Sequence, residues 1–330
     1  MPVLLPVALR GTGRYIPTEL LTNEFFASYL DTSDEWITTR TGIKTRHRVA
    51  EGEATAALAA RAAQAALDDA GIRATDLDVI IVCTATPDTL VPSTGSYVQQ
   101  IIGAGGVPAF DLSAACSGFL YGVVVAANMI GAGSVGTALV IGAETLTRIT
   151  DFQDRNTAVL FGDAAGAAVL SRSQDPRRGL LFTRLGTDGN RTKDIWMPAG
   201  GSSLVASANT VAERLHYLRM NGREVYKFAV HKMRELIDEA LEATGLKPED
   251  IRLVIPHQSN LRIIESVREK MGLPREKIAV NIDRYGNTSA ASIAVALDEA
   301  RRGGQVKDGD VILAVALGAG LTWAATVWRI

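Results

Sequence analysis

The chain has 330 residues, more than one simple core requires, so one large domain or two fused ones is expected. Its formal charge is only −2, with 47% hydrophobic and 21% charged residues. That balance excludes a disordered chain and leaves no basic footprint for nucleic acid or for an anionic membrane. The only two cysteines, Cys83 and Cys116, exclude a disulfide framework and fit a reducing cytoplasm.

In chain order, the opening MPVLLPVALRGTG has no basic residue ahead of its apolar stretch and carries two prolines, which argues against a targeting signal. A Leu/Ala-rich helix follows and ends at Gly71. The segment from Leu112 to Ala143 then contains no charged residue, and its length alone would permit a membrane span. GAGSVG (Gly131 to Gly136) breaks it into a helix ending near Ile130 and a strand TALVIGA, so two buried core elements are expected instead. The same hexapeptide fits G-x-G-x-x-G, but it follows a helix and precedes a strand. That is the reverse of the dinucleotide-binding order.

The second half repeats the first. ALDDAGIRATDLDVIIVCTATPD and ALEATGLKPEDIRLVIPHQSN each read as a helix end, a glycine C-cap, a short acidic link and a β-branched strand. Gly71 pairs with Gly245, Asp76 with Asp250, Leu77 with Ile251 and Ile81 with Ile255, always at the same offset along the chain. AFDLSAACSGF aligns with NIDRYGNTSAAS, and GTALVIGAE with GDVILAVALGAG. The offset, more than half the chain, is too long for a solenoid period and reads as a duplication. Strands apolar on both faces and alternating with helices predict parallel-rich sheets under helices, in an α/β fold with the site between two halves.

Three reactive side chains fall at strand-to-helix junctions, where open α/β sheets gather ligands. Cys116 opens a helix after PAFDL, His257 follows RLVIP, and Asn287 lies in YGNTSAAS before an Ala/Ile-rich helix. Each has a plain alternative: a small buried hydrophobe, a helix cap, a turn residue. In favour of chemistry, a helix N-terminus is expected to lower the Cys116 thiolate pKa, and small neighbours leave room for a substrate.

SDEWITTRTGI, DLSAACSGF, FGDAAGAAVL, PHQSNLRI, YGNTSAAS and GAGLTWA, in this order from Gly11 to ATVWRI, resemble the motifs of β-ketoacyl-acyl-carrier-protein synthase III, the initiating condensing enzyme of the thiolase superfamily. The resemblance implies a thiolase-like layered αβαβα fold of two duplicated halves, 1–175 carrying the cysteine and 176–330 carrying His and Asn. It implies Cys116 as nucleophile, His257 and Asn287 as catalytic partners, and backbone N–H groups of Cys116 and Ala319 as oxyanion donors. Ala319 stands where the family has a glycine. It assigns Thr32, Trp36, Arg40 and Arg155 to the coenzyme A adenine, Gly222 and Asn260 to the pantetheine channel, and Arg262 to docking of the acidic carrier protein. Val91 replaces a commonly aromatic residue that reaches into the partner subunit's acyl pocket, which implies a starter longer or more branched than acetyl.

The implied activity is self-acylation of the cysteine from acyl-CoA. Decarboxylative condensation with malonyl-acyl-carrier protein then starts fatty acid synthesis. A cytoplasmic homodimer is implied, with no metal, no tightly bound cofactor, no nucleic acid and no membrane. A condensing enzyme of secondary metabolism shares these motifs. The order Cys, His, Asn, with His257 far downstream of Cys116, also fits a papain-like cysteine hydrolase, although that family's C-G-[SA]-C-[WY] signature is missing. A non-catalytic protein of the same fold is expected to lose one of the three groups, and all three are present.

Overall fold

The structure, a computed structural model, describes residues 4–330. Its strands in chain order are β1 (Val7–Tyr15), β2 (Glu19–Thr22), β3 (Thr45–Arg48), β4 (Val79–Cys83), β5 (Ala109–Leu112), β6 (Thr137–Thr145), β7 (Asp163–Arg172), β8 (Gly179–Thr187), β9 (Ile195–Trp196), β10 (Arg219–Met220), β11 (Leu253–Pro256), β12 (Val311–Gly318) and β13 (Thr322–Arg329). One sheet has the order β1-β7-β6-β4-β5 and the other β11-β12-β13-β8. The first therefore draws its strands from residues 7–172 and the second from 179–329.

The duplication is visible in space. The offset that relates Gly71 to Gly245 also relates the first residues of β4 and β11, and those of β6 and β12. β4 and β6 are parallel neighbours in the first sheet, as β11 and β12 are in the second. Where β5 borders β4 in the first sheet, the second has only a single parallel bridge, Val254 to Ile278.

The sheets are mixed rather than parallel-rich. β7 runs antiparallel to β1 and β6, and β13 runs antiparallel to β12 and β8. The reason is physical: any strand sandwiched between helix layers is apolar on both faces, whichever way it runs, so that composition does not encode direction.

Five layers stack as helix, sheet, helix, sheet, helix. Helices Thr55–Ala70 and Thr94–Ile101 cover the outer face of the first sheet, and Gly222–Thr244 covers that of the second with Leu261–Met271 beside it. The central layer is Gly118–Gly131 and Ala291–Arg302, each touching both sheets. Gly118–Gly131 contains three consecutive valines, which are poor helix formers. Burial on nearly every side overrides that propensity, with Phe119, Leu120, Val123, Ala126, Ala127 and Ile130 all in the core. The uncharged segment thus resolves into a buried helix and the buried strand β6. Among the described residues no helix is long and apolar enough to cross a membrane.

Small residues let the central layer sit close to the sheets. A Cβ on Gly142 of β6 would lie 2.2 Å from the Ala290 carbonyl oxygen, far inside contact distance. The turn that leads into Ala291–Arg302 therefore rests directly on the β6 backbone.

Candidate active site

The nucleophile turn begins where β5 ends. Ala115 has φ 48°, a left-handed conformation that an L-residue adopts at a cost of about 1–2 kcal/mol. It throws Cys116 into a single turn of 3₁₀-helix that runs straight into Gly118–Gly131. Thr322 on β13 locks this turn from the other half, its hydroxyl donating to the Ala114 carbonyl at 2.9 Å. Position 318 tolerates no side chain, since a Cβ there would lie 2.7 Å from the Cys116 nitrogen and 2.9 Å from the Ala114 oxygen.

His257 extends β11 by one residue, its N–H donating to the Val315 carbonyl at 2.8 Å. Gln258 next to it is buried and stitches two loops together. Its Nε2 donates to the Pro256 and Ala279 carbonyls, and its Oε1 accepts from Asn281 and Ile282 N–H. This fixes the segment that leads on to Asn287. Asn287 is pinned to the first half, donating its N–H to the Leu160 carbonyl and accepting from Gly162 N–H at 3.0 Å. Those partners precede and open the FGDAAGAAVL motif, which ties the two halves at the site. The Asn287 Oδ1 accepts from Ser289 N–H at 2.9 Å, leaving the Nδ2 amide as the group free to donate.

These elements converge on one cavity of about 240 Å³. Cys116, His257 and Asn287 share its walls with Ala319, Gly222 and Asn260. The remaining wall is mainly apolar, with Leu146, Ile149, Phe161, Ile195, Leu218 and Val225 among its residues. Ala319 is not in the left-handed region, so its Cβ is accommodated without strain where the family has a glycine.

The electrostatics correct one expectation. Cys116 lines this cavity and is half-buried, and desolvation by its surroundings pushes its thiol up to about 12, against any lowering by the helix N-terminus. The neighbouring Ser289 pulls the other way, while the charge of Glu144 adds to the rise. Burial also lowers His257 to about 3, so its imidazole is neutral. His257 is 2% exposed and its Nδ1 pairs with the Ser292 hydroxyl at 2.7 Å. A neutral thiol beside a neutral imidazole is not the thiolate–imidazolium pair of a papain-like hydrolase, and the layered duplicated fold removes that alternative.

The residues expected at the adenine come together beside the cavity. Arg40 lies 4.4 Å and Arg155 4.9 Å from the Trp36 ring, stacking distances for a cation on an indole. The Thr32 hydroxyl nearby is buried without a partner. Asn260 is occupied as a helix cap. Its Oδ1 accepts from Arg262 N–H at 2.9 Å and its Nδ2 donates to the Arg40 carbonyl at 3.0 Å, linking this cluster to the cavity wall. Arg262 is exposed in the first turn of Leu261–Met271, 5.6 Å from the ring of Tyr226, a wall residue. Val91 is not brought to the cavity; it is 86% exposed beside an equally bare Leu90. Among the described residues no cluster of three or more His, Cys, Asp or Glu is arranged to hold a metal ion.

Sequence reasoning missed Glu144, the last but one residue of β6. It is fully buried and receives hydrogen bonds from Thr86 Oγ1 at 2.7 Å and from Ala85 N–H at 3.1 Å. A lone carboxyl closing the apolar run TALVIGAET at the C-terminal end of a strand was the available signal.

Comparisons with known proteins agree with this geometry. Models of 3-oxoacyl-[acyl-carrier-protein (ACP)] synthase III match residues 110–189, and of its C-terminal part residues 241–330. A β-ketoacyl-[acyl-carrier-protein] synthase III from Caldanaerobacter subterraneus subsp. tengcongensis is 52% identical over 98% of this chain and 97% of its own. The crystal structure of 3-oxoacyl-[acyl-carrier-protein] synthase III from Aquifex aeolicus is 47% identical, with a TM-score of 0.90 over 98% of this chain and 100% of that one. The priming β-ketosynthase of the R1128 polyketide biosynthetic pathway is 32% identical, with a TM-score of 0.91 over 100% of this chain and 98% of that one. With its duplicated layered fold and its Cys, His and Asn on one cavity, this chain belongs to the β-ketoacyl-acyl-carrier-protein synthase III family.

Proposed function

We propose that this condensing enzyme initiates fatty acid synthesis by taking an acyl group from acyl-CoA onto Cys116 and extending it with malonyl-acyl-carrier protein. The observation that carries the reading is the convergence of Cys116, His257 and Asn287 on a single cavity where the two halves, 1–175 and 176–330, meet. The higher identity to a β-ketoacyl-[acyl-carrier-protein] synthase III, 52%, than to the priming β-ketosynthase of the R1128 polyketide pathway, 32%, supports primary metabolism over the secondary-metabolite alternative.

In the first half-reaction the Cys116 sulfur attacks the thioester carbonyl carbon, and the coenzyme A sulfur leaves with the electron pair. The tetrahedral oxyanion is met by the Cys116 and Ala319 N–H groups, which take no part in the backbone hydrogen bonding of the turns around them. In the second half-reaction the malonyl thioester loses carbon dioxide, and its enolate oxygen needs donors. Neutral His257 supplies Nε2–H when the Ser292 hydroxyl donates to Nδ1, and Asn287 supplies Nδ2–H. The enolate carbon then attacks the acyl-Cys116 carbonyl carbon and expels the thiolate, forming the carbon–carbon bond.

Trp36, Arg40, Arg155 and Thr32 hold the adenine, while Gly222 and Asn260 flank the pantetheine arm. Asn260 acts by fixing the Arg40 backbone rather than with a free amide. Exposed Arg262 receives the acidic carrier protein. Val91 completes the acyl pocket of a partner subunit in a homodimer, which accounts for two bare apolar residues, Leu90 and Val91, on the surface of one chain. Both cysteines are unpaired, which suits the cytoplasm.

Three outcomes test this reading. First, alkylation of Cys116 by iodoacetamide should rise about tenfold per pH unit from pH 7 to 10, because a thiol near 12 gains thiolate throughout that range. A plateau starting below pH 7 contradicts the resting thiol. Second, with a panel of acyl-CoAs, intact-mass analysis should find one acyl group on Cys116 and none in Cys116→Ser. His257→Ala and Asn287→Ala should still acylate but lose about 10² to 10³ in malonyl decarboxylation and condensation. Third, Val91→Phe should leave kcat/KM for acetyl-CoA nearly unchanged. For starters of four or more carbons it should cost roughly 1–3 kcal/mol, about ten- to a hundredfold. Equal losses for short and long starters would remove Val91 from the pocket.

A further inference from the structure

Arg46 on β3 is fully buried, and among the described residues no carboxylate pairs with it. Its partners are all neutral. Nη1 donates to Asn23 Oδ1 at 2.8 Å and to the Leu21 carbonyl at 3.3 Å, and Nη2 donates to the Val159 carbonyl at 2.6 Å. The guanidinium also lies 4.5 Å from the Phe26 ring. Burial lowers it to about 10, so it stays charged at neutral pH. A buried cation without a counter-charge is costly, and neither the fold nor the two half-reactions described above account for this one.

The guanidinium grips one arm of the backbone pairing that carries Asn287. Val159 directly precedes Leu160, whose carbonyl accepts from Asn287 N–H at 2.9 Å, and Phe161 faces Asn287 in a parallel bridge. The aliphatic stem touches both arms. A Cβ on Gly162 would lie 3.0 Å from the Arg46 Cβ, and one on Gly286 3.2 Å, so Arg46 is packed against the glycines on either side of the pairing. Its neighbours on the chain hold the second arm. Lys44 N–H donates to the Asp283 carbonyl at 3.0 Å, and the Thr45 hydroxyl to the Arg284 carbonyl at 2.8 Å. A planar fork can reach acceptors on separate segments at once, which the point donor of a lysine cannot.

We propose that Arg46 is a positioning residue of the second half-reaction, clamping the Leu160–Asn287 pairing so that the Asn287 Nδ2 amide meets the malonyl enolate oxygen. This rests on the reading of Asn287 as an enolate donor. The pairing fixes the Asn287 backbone, Ser289 N–H fixes its Oδ1, and the direction of Nδ2 follows from both. Displacing such a group by about 1 Å is enough to cost rate. Cys116 is held by other contacts, those of Thr322 and of position 318. His257 is held by the Val315 carbonyl. The clamp therefore bears on decarboxylation and leaves acylation of the thiol alone.

Arg46→Met in the full chain tests this, because it keeps an unbranched apolar stem and removes the fork and the charge together. Acylation by acyl-CoA is followed by intact mass, and decarboxylation of malonyl-acyl-carrier protein by carbon dioxide release per acylated chain, so misfolded chains do not enter the rate. Acylation should stay within about twofold of wild type, while decarboxylation and condensation fall roughly ten- to a hundredfold. In an Asn287→Ala background the same substitution should cost less than about twofold more, because the residue it acts through is gone. Equal losses in both half-reactions, an unchanged decarboxylation rate, or losses that multiply in the double variant overturn the inference. If Arg46→Met yields no acylated protein, Arg46→Lys, which keeps the buried charge, takes its place in the same cycle. Failure of both to acylate means that Arg46 serves the whole fold, and it overturns the inference too. A wild type that takes no label on Cys116, or an Asn287→Ala variant that decarboxylates at the wild-type rate, would instead overturn the functional reading beneath it.

Discussion

The active site depends on how closely two backbones approach. The turn carrying Cys116 belongs to the first half and the end of β12 to the second. They are pressed together until position 318 has no room for a Cβ, 2.7 Å from the Cys116 nitrogen. Such contact is possible only with glycine, and it brings an N–H of the second half beside the nucleophile of the first. Thr322 seals the junction with a hydrogen bond to Ala114. Neither half could form the cavity alone, because the nucleophile comes from one and its two donors from the other.

The duplication makes the other side of this junction informative. At the offset that relates Gly71 to Gly245, Ala290 corresponds to Cys116, Ser289 to Ala115 and Gly318 to Glu144. The strained left-handed residue recurs in both turns, at φ 48° and φ 46°. Chemistry is divided between equivalent positions: Cys116 carries the sulfur where the other turn has Ala290, and Glu144 lies near the end of β6 where β12 ends in Gly318. Cys83 corresponds to His257 in the same way, yet Cys83 is sealed in the core and burial raises its thiol far from reactivity. Cys83 and His257 carry unlike functions because only His257 opens to the cavity.

Much of this was legible in the sequence. Glycine caps at Gly71 and Gly245, each followed by an acidic link and an apolar strand, are local signals, and they set the register of the two halves. Cys116, His257 and Asn287 stood out because polar residues at strand ends are unusual in so apolar a chain. What stayed hidden was non-local. Strand direction in the sheets, the upward shift of the Cys116 thiol and the hydrogen bonds that Thr84, Ala85 and Thr86 give to buried Glu144 all depend on what the fold brings against each residue. Asn260 illustrates the same limit. It sits at the cavity as expected, but a helix N-terminus and the Arg40 carbonyl already claim its amide. Val91 is a third case, since it stands exposed and away from the cavity on one chain.

The central claim is that the close junction of the halves creates the reactive geometry. Gly318→Ala tests it most directly. The substitution adds one methyl group where backbone conformation does not demand glycine, so its effect is steric. Self-acylation of the variant by acyl-CoA, followed by intact mass, should fall about 10² to 10³, the loss expected when an oxyanion donor is displaced. The unfolding free energy should drop by only about 1–3 kcal/mol, leaving a folded protein. Acylation at the wild-type rate in folded Gly318→Ala would mean that the nucleophile's geometry does not depend on the junction, and would contradict the account.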